Sequence, residues 1–403
     1  MTSNVNVALL GSGVFAQAAY LPALLTLTSA KNLSLHTIWS RSPTSANTLH
    51  SKAVESGIAP APAIQDGPEG LEKVLNDPEI DAVLLVLPIT AQPELVRKAW
   101  KAGKHVLSEK PLGKDVEEAR RLVEEYEKVY KPKGLIWRIA ENYAHEPVLR
   151  SAGEKLASTP ELGPILHWKL NAEGYVEDGS KYHSTEWRTV PAYQGGFLLD
   201  GGVHWAALLR TVLPPSAQPA SLVSYSHLHR AFLLPHDTLT AISLPSPSST
   251  VSPNGPTTKL STAIHSEKDL ASTPGQSAPT GQIFMSFALP DTPPETRSPN
   301  GLTITFLNGV ATLISSPSRE WIFNIYPASG SGVEKVEKKG NPEGVEVEIR
   351  MFAQAIKALK EGKKDDEKDY GDPRGALWDL AVIEGMLKSE GKELNLEKLI
   401  KGE

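Results

Sequence analysis

Short apolar runs alternate with helix-like stretches through the first third of the chain. Val5–Leu10 is an aliphatic run followed by glycines and by the helical pattern Val14–Thr28, which Pro22 is expected to kink. A second run, Leu33–Trp39, leads to a helix predicted to end at about Ser56. The alternation continues through Ala82–Leu87, Gln92–Ala102, His105–Leu107, Val116–Tyr130 and Gly134–Ala140. Near-continuous apolar strands alternating with helices predict a doubly wound parallel sheet of the α/β class.

Beyond about residue 150 the pattern changes to short strands without intervening helices. The candidate strands are His167–Glu173, Ala220–Ser226, Thr238–Leu244, Gln282–Leu289, Leu302–Phe306, Val310–Ser315 and Trp321–Tyr326. Such a series predicts a large, mostly antiparallel sheet in an α+β domain. Two helices, Val345–Glu361 and Arg374–Ser389, close the chain and are expected to pack back against the sheet or the first domain.

A length of 403 residues favours two domains, because it exceeds what one hydrophobic core usually supports. We predict a Rossmann domain over residues 1–145 and an α+β domain over residues 146–403. The stretch at about 245–281 is dense in Ser, Thr and Pro, so we expect a flexible surface insertion there.

Composition narrows the class of protein. With 40% hydrophobic and 22% charged residues the chain has an ordinary globular composition, and its net charge of -6 offers no footprint for nucleic acid. The absence of cysteine excludes disulfides and thiolate zinc sites. No run approaches the length of a membrane span, so we expect a cytosolic protein.

A glycine turn follows the first strand. Gly11, Gly13 and Ala16 form GxGxxA around Val14 and Phe15, directly before the first helix. In this arrangement the first glycine makes the turn, the second lets a pyrophosphate approach the backbone, and the helix amino terminus faces the anion. An ordinary tight turn is the alternative, but the position within a β/α series favours a dinucleotide site.

The end of the second strand indicates which dinucleotide binds. NAD usually requires an acidic residue there, whereas this strand runs into Ser40 and Arg41. A guanidinium and a hydroxyl suit a 2′-phosphate, so we predict NADP over NAD. The alternative is that Arg41 only solvates the start of a helix.

Lys110 stands at the carboxyl end of a predicted strand and is followed by Pro111. Side chains at this edge of a parallel sheet point into the crevice where ligands bind. Lys110 is therefore a candidate functional lysine, with a surface lysine as the alternative.

Asp200 and His204 follow Gly195 and Gly196 and are four residues apart. On a helix this spacing places both side chains on one face, where they can point at one small ligand. A structural histidine or a pair of metal ligands is the alternative. No third ligand stands at a recognisable spacing, so we predict no metal.

These motifs resemble those of the Gfo/Idh/MocA oxidoreductases. The similarity rests on GxGxxA at Gly11–Ala16, on GKHVLSEKP at Gly103–Pro111 and on GGFLLDGGVHW at Gly195–Trp205, and it extends over nearly the whole chain outside 245–281. The resemblance implies an amino-terminal Rossmann domain that binds NAD(P) and a carboxyl-terminal domain that forms the substrate pocket. It also implies a homodimer or homotetramer built through the carboxyl-terminal sheet.

The resemblance also implies residue roles. Lys110 would hydrogen-bond the reacting hydroxyl or carbonyl, His204 would exchange its proton, and Asp200 would orient substrate and histidine. Glu109 and Lys110 would also contact the cofactor, with the nicotinamide ring between Lys110 and His204. Further cofactor contacts are expected at Leu87, Pro88 and Gln92. After the proline the family often has Asn and, three residues later, His, whereas this chain has Ile89 and Gln92 at these positions.

Other departures from the family concern the predicted pocket. The acid often found three residues after the histidine is Ala207 here. Asn142 and Tyr143 replace an arginine-containing turn and are candidate substrate contacts, as are Trp187 and Arg188. Structural packing is the alternative for the aromatic residues.

Together these features predict an NADP-dependent dehydrogenase or reductase. Its expected substrate is a small molecule, a sugar, cyclic polyol or related diol, which reacts at a secondary alcohol or carbonyl. We expect neither nucleic acid nor a membrane as a partner. Two alternatives stay open. One is a biosynthetic reductase of imines or conjugated double bonds, and the other is a dinucleotide-binding regulator without turnover.

Overall fold

A computed structural model describes residues 4–181, 183–185, 193, 196–246, 279–363 and 369–403. Most of the predicted insertion at about 245–281 lies outside these described residues. The chain divides into two compact units. The first comprises Met1–Glu146, Asp178–Ala207 and Glu343–Leu380, and the second comprises Pro147–Glu177, Leu208–Pro342 and Ala381–Glu403.

The first unit is built on a six-stranded parallel sheet. Its strands are β1 (Asn6–Leu10), β2 (Ser34–Ser40), β3 (Ala63–Asp66), β4 (Ala82–Leu85), β5 (His105–Glu109) and β6 (Trp137–Ala140). Their spatial order is β3-β2-β1-β4-β5-β6, and every neighbouring pair runs parallel. This is the order of a doubly wound dinucleotide-binding sheet, so the predicted fold class is confirmed.

Helices connect these strands. They are α1 (Leu21–Ser29), α2 (Pro43–Glu55), α3 (Gly67–Asn76), α4 (Gln92–Lys101) and α5 (Val116–Glu125), and the short α6 (Asn142–His145) follows β6. Ala16–Tyr20 is a π-helical turn that runs into α1, so Pro22 falls in the first turn of the α-helix. Proline has no N–H to donate, and a π-helical turn beside it is a usual way for a continuous helix to accommodate the missing hydrogen bond.

The chain pattern did not predict β3 and α3. The four residues of β3 follow a proline-rich segment, form the sheet edge and are only partly buried. A short edge strand has one open side and needs no apolar run, so periodicity gives little signal for it.

A carboxyl-terminal helix belongs to the first unit. This helix, Gly344–Lys360, buries Ile349, Phe352 and Ile356 in the same core as residues of β1, β2 and α1. The observed unit therefore contains later segments of the chain, unlike the contiguous domain expected to end at residue 145. Burial of this apolar helix face gives the physical reason, because sequence distance does not prevent a helix from completing a core.

The second unit contains a nine-stranded sheet. Its strands are β7 (Ile165–Glu173), β8 (Ser221–His227), β9 (Thr238–Leu244), β10 (Thr280–Ser286), β11 (Asn300–Phe306), β12 (Gly309–Ser315), β13 (Trp321–Pro327), β14 (Val336–Gly340) and β15 (Leu394–Asn395). Their order is β14-β13-β12-β11-β7-β10-β9-β8-β15. Only β7 and β10 pair in parallel, which confirms the mostly antiparallel prediction for the described strands.

The helix Gly344–Lys360 described above is α9. The further α-helices of the described chain are α7 (Pro147–Ala157), α8 (Gly196–Val212), α10 (Pro373–Lys388) and α11 (Leu396–Lys401). Helix α8 carries Asp200 and His204 and begins four residues before Asp200. Among the described helices, none combines the length and apolarity needed to cross a bilayer.

Candidate active site

The glycine turn lies between β1 and the helical segment that leads into α1. Gly11 has a φ of +118°, and a Cβ placed on it would lie 2.1 Å from the carbonyl oxygen of Val86, so the fold itself requires glycine there. Gly13 is exposed, and a Cβ on it would meet nothing within 4 Å. Protein packing therefore leaves space above Gly13, which fits the approach of a pyrophosphate.

The rest of the turn supports the same use. Ala16 is fully buried beneath the helix start, which allows the close packing expected of the third motif position. Val14 and Phe15 are half-buried on the first helical turn. The N–H groups of such a first turn have no partner within the helix and face an incoming anion.

The end of β2 presents hydroxyl groups and a cation. Ser12 Oγ donates to Ser40 Oγ at 2.9 Å, and both residues are buried. Arg41 is exposed and has no ion pair with any described residue, and Ser42 caps α2 by accepting from the Ser45 N–H at 3.5 Å. These donors suit an anionic group on an adenosine ribose.

A third segment follows β4. Leu87 and Pro88 are half-buried, and Gln92 begins α4 with only 2% of its surface exposed. Neither amide atom of Gln92 has a hydrogen-bond partner in the described part of the chain. Buried polar atoms normally have partners, so this amide is a group that a bound dinucleotide could satisfy.

Lys110 and Asp200 form an ion pair in the first unit. Lys110 Nζ donates to Asp200 Oδ1 at 2.9 Å and to the Asp200 carbonyl oxygen at 2.8 Å. Each side chain is 11% exposed. The lysine follows β5, so the carboxyl edge of the sheet and helix α8 together hold one ammonium group in a fixed place.

His204 lies one helical turn beyond Asp200, but it pairs with another acid. Its Nδ1 lies 2.6 Å from Glu141 Oε1, and Glu141 is 2% exposed. Asp200 therefore contacts the lysine, while Glu141 contacts the histidine. Glu141 was not among the predicted site residues, although it follows β6 as Lys110 follows β5, and the same strand-end argument applies to both.

The two predicted contacts after β6 differ in their positions. The Tyr143 ring stacks on the His204 imidazole, with centroids 4.8 Å apart and planes 23° apart. Asn142 is half-buried at the start of α6, and its carbonyl oxygen would lie 2.2 Å from a Cβ on Gly344. Trp187 and Arg188 lie outside the described residues.

Comparison with known proteins gives the family. The family model described as "Oxidoreductase family, NAD-binding Rossmann fold", that of Gfo/Idh/MocA, matches residues 5–132. The dehydrogenase FPY6 of Fusarium mangiferae is 38% identical over 240 residues, which are 59% of this chain and 66% of that protein. The crystal structure of the oxidoreductase TM0312 from Thermotoga maritima aligns with a TM-score of 0.75 at 25% identity, covering 98% of this chain and 100% of that one. The chain belongs to the Gfo/Idh/MocA oxidoreductase family.

A further relative of this Gfo/Idh/MocA chain is 1,5-anhydro-D-fructose reductase of Ensifer adhaerens. It is 30% identical over 185 residues, which are 46% of this chain and 50% of that protein. The matches to these two curated relatives thus span 66% and 50% of the relatives' own lengths.

Two further acids, Glu109 and Glu348, are buried near the paired residues in this family member and are called the acid layer below. Tyr20 Oη donates to Glu109 Oε1 at 2.7 Å. Burial raises the pKa of Glu109 to about 7, although the Lys110 charge and the Tyr20 hydrogen bond lower it. Burial and the nearby Glu109 carboxylate likewise raise the pKa of the Tyr20 phenol well above its usual value.

Glu348 of α9 is another member of this layer. It is 1% exposed, and neither carboxyl oxygen has a hydrogen-bond partner among the described residues; His145 Nδ1 lies 3.7 Å from Oε2. Burial and the charges of nearby glutamates raise the pKa of Glu348 well above its usual value. Burial therefore favours the protonated forms of Glu109 and Glu348.

Within the residues that the structure describes, no group of three or more His, Cys, Asp or Glu side chains is arranged to hold a metal ion.

Proposed function

We propose that this chain is an NADP-dependent oxidoreductase that transfers a hydride between nicotinamide and a secondary alcohol or carbonyl of a small polar molecule. The observation that carries this proposal is the Lys110–Asp200 ion pair at the sheet edge, one helical turn from His204. It combines a fixed cation with a histidine, the residue type that most often serves as a general acid and base.

The proposed chemistry divides between these side chains. Lys110 stabilises the negative charge that develops on the reacting oxygen, and Asp200 holds the ammonium group in place. His204 takes the hydroxyl proton during oxidation and returns it during reduction. A bound nicotinamide accepts or supplies the hydride.

The proposed preference for NADP rests on the turn and on the end of β2. Ser40 accepts a hydrogen bond from Ser12, which leaves its own hydroxyl proton to donate, and Arg41 is exposed beside it. Together they offer a charged and a neutral donor to a 2′-phosphate. Gly13 leaves room for the pyrophosphate, and Gln92 offers a buried amide to the same ligand.

The proposed substrate class is a sugar, cyclic polyol or related diol. The similarity to 1,5-anhydro-D-fructose reductase supports a sugar carbonyl as the reacting group. The polar site chemistry agrees, because a cation and an acid–base residue address an oxygen atom rather than an apolar surface.

The experiment is an absorbance assay of NADP⁺ reduction and NADPH oxidation over a panel of sugars, cyclic polyols, diols and ketones. We expect turnover of at least one panel member, with NADP(H) used in preference to NAD(H). Tight NADPH binding without turnover on any member would instead favour the regulator, and turnover confined to added imines or enones would favour the biosynthetic reductase.

We also propose that the protein acts in the cytosol as a homo-oligomer joined through the nine-stranded sheet. One face of this sheet is buried, whereas the other exposes Tyr225 and Ile242 by more than half and Tyr326 by nearly half. Apolar groups on an open sheet face suit a second copy of the same face.

Sedimentation velocity tests this association. We expect a dimer or tetramer that Ile242→Glu dissociates, whereas Val54→Glu, at an exposed position on α2, leaves the mass unchanged. A monomeric wild-type protein at all concentrations would contradict the proposal.

A further inference from the structure

The acid partner of His204 does not lie on α8, the helix that carries His204. The position three residues later is Ala207, which is fully buried in a small apolar cluster with Ala144 and Val347. No carboxylate is available at that helical position. Glu141, at the end of β6, reaches the imidazole instead.

We propose that Glu141 is the positioning residue of His204. It accepts a hydrogen bond from the Nδ1–H of the imidazole and leaves Nε2 free to exchange the substrate proton. This inference rests on the proposed acid–base function of His204, and it adds the group that selects the tautomer.

The carboxylate of Glu141 is itself fixed in place. Oε1 lies 2.6 Å from His204 Nδ1 and also accepts the Tyr143 N–H at 3.1 Å. The Glu141 carbonyl oxygen accepts a hydrogen bond from His145 Nδ1 at 3.0 Å. Backbone and side chain are therefore both held, as is common for groups that orient a functional histidine.

Aromatic rings fix the plane of the imidazole. Tyr143 stacks on His204, and Trp205 meets Tyr143 edge-on with centroids 5.6 Å apart and planes 79° apart. A hydrogen bond at Nδ1 sets the rotation of the ring, and stacking sets its tilt. The direction of Nε2 follows from these two constraints.

Neighbouring charges and hydrogen bonds favour the ionised form of Glu141. Burial raises its pKa, but the His204 charge and hydrogen bond, the Lys110 charge and the Tyr143 N–H together hold it below its usual range. Two other acids face this group, Glu109 from β5 and Glu348 from α9. Burial raises the pKa of both of those acids, whereas the neighbours of Glu141 favour its ionised form beside the imidazole.

This arrangement has a chemical consequence. In oxidation the substrate O–H bond breaks, its proton forms a bond to Nε2, and its electron pair becomes the second bond of the C=O group. The hydride leaves the adjacent carbon with the C–H electron pair for the oxidised nicotinamide of the proposed function. The imidazolium that results keeps its proton on Nδ1 and donates it in a hydrogen bond to Glu141, whose negative charge stabilises the ring. Reduction reverses each of these transfers.

The first test needs no substrate. In ¹⁵N-histidine NMR of the whole protein with NADPH, we expect one Nδ1-bonded proton shifted far downfield, identified as His204 by its loss in His204→Gln. Glu141→Ala should abolish this signal, and Glu146→Gln should retain it. Glu146 is the matched control because it is also buried but accepts the Glu343 N–H at 2.9 Å. A wild-type His204 protonated at Nε2 instead of Nδ1 would overturn the proposal, even if no variant folds.

The second test uses a panel member that the wild-type enzyme oxidises. We expect Glu141→Gln to lower kcat about 100-fold and to move the acid limb of the pH–rate profile to lower pH, because the imidazolium loses its negative partner. Glu141→Asp should recover part of kcat, and KM should change little. An unchanged profile in Glu141→Gln would overturn the inference while leaving the proposed function intact.

The two tests also separate the two proposals. An Nδ1 proton lost in Glu141→Ala, in a protein that turns over no panel member, would keep the positioning contact and reject the oxidoreductase function.

Discussion

Glu141 Oε1 lies 2.6 Å from His204 Nδ1, although the two residues stand 63 positions apart. Lys110 and Asp200 are 90 positions apart and form the neighbouring pair. The ends of β5 and β6 supply one member of each pair, and successive turns of α8 supply the others. A fixed cation and a histidine with its own acid are therefore held by successive turns of α8, which supports the proposed acid–base chemistry.

The two glycines of the turn should respond differently to alanine. Gly11→Ala is expected to lower the free energy of unfolding by about 2 kcal/mol or more, because its φ is positive and the new Cβ meets the Val86 carbonyl. Gly13→Ala should leave stability nearly unchanged and weaken NADPH binding roughly tenfold, because its Cβ occupies only the open space.

Denaturant unfolding and NADPH fluorescence titration measure these two effects on the same samples. Equal loss of stability in both variants would show that the space above Gly13 is not reserved for a ligand.

Arg41 should determine the choice of dinucleotide. Arg41→Ala is expected to weaken NADPH binding about tenfold and to leave NADH binding unchanged, since only the 2′-phosphate loses a charge-assisted partner. Arg121→Ala serves as the control, because this exposed arginine pairs with Glu117 on α5. Wild-type protein that binds NADH as tightly as NADPH would contradict the prediction.

The buried acids should make stability fall as pH rises. Burial raises the pKa of Glu146 to about 7, as it does that of Glu109, and the pKa of Glu348 also lies well above its usual value. The folded state then binds more protons than the unfolded state between about pH 5 and pH 7. Unfolding free energy therefore decreases with pH in this window, by about 1.4 kcal/mol per pH unit for each such group.

Glu348→Gln tests this linkage directly. Glutamine keeps the shape of the side chain and removes the ionisable group. The slope of unfolding free energy against pH should therefore become shallower by the contribution of one group, about 1.4 kcal/mol per pH unit. Glu94→Gln, on the surface of α4, is the control, and its unfolding free energy should have the same slope against pH as that of the wild type. A Glu348→Gln slope equal to that of the wild type would show that Glu348 does not hold the extra proton.

The sequence predicted the parts of the fold that have strong local signals. Apolar runs located β1, β2, β4 and β5, since strands buried on both faces are continuously apolar. β3 and the polar edge strand β14 escaped prediction because an edge strand needs neither an apolar run nor strict alternation. The place of α9 in the first unit depends on tertiary packing, which periodicity does not specify.

The candidate site was predictable in the same uneven way. Motif spacing located Lys110, Asp200 and His204, and the structure brings the first two into contact. It did not locate Glu141 as the partner of His204, because strands and helices far apart in sequence meet only in the folded chain. Ala207 stands where the family often has an acid, which indicates that His204 lacks a partner on its own helix. The position of Glu141 directly after β6 is the sequence feature that points to the partner.

Single-turnover kinetics of Lys110→Met and His204→Gln, on a panel member that the wild-type enzyme turns over, test the central claim most directly. We predict that each variant loses about 100-fold or more in the hydride-transfer rate while binding NADPH as the wild type does. Lys114→Met, an exposed lysine four residues beyond Lys110, should keep the wild-type rate. Wild-type rates in Lys110→Met and His204→Gln would contradict the assignment of these two residues to the chemistry.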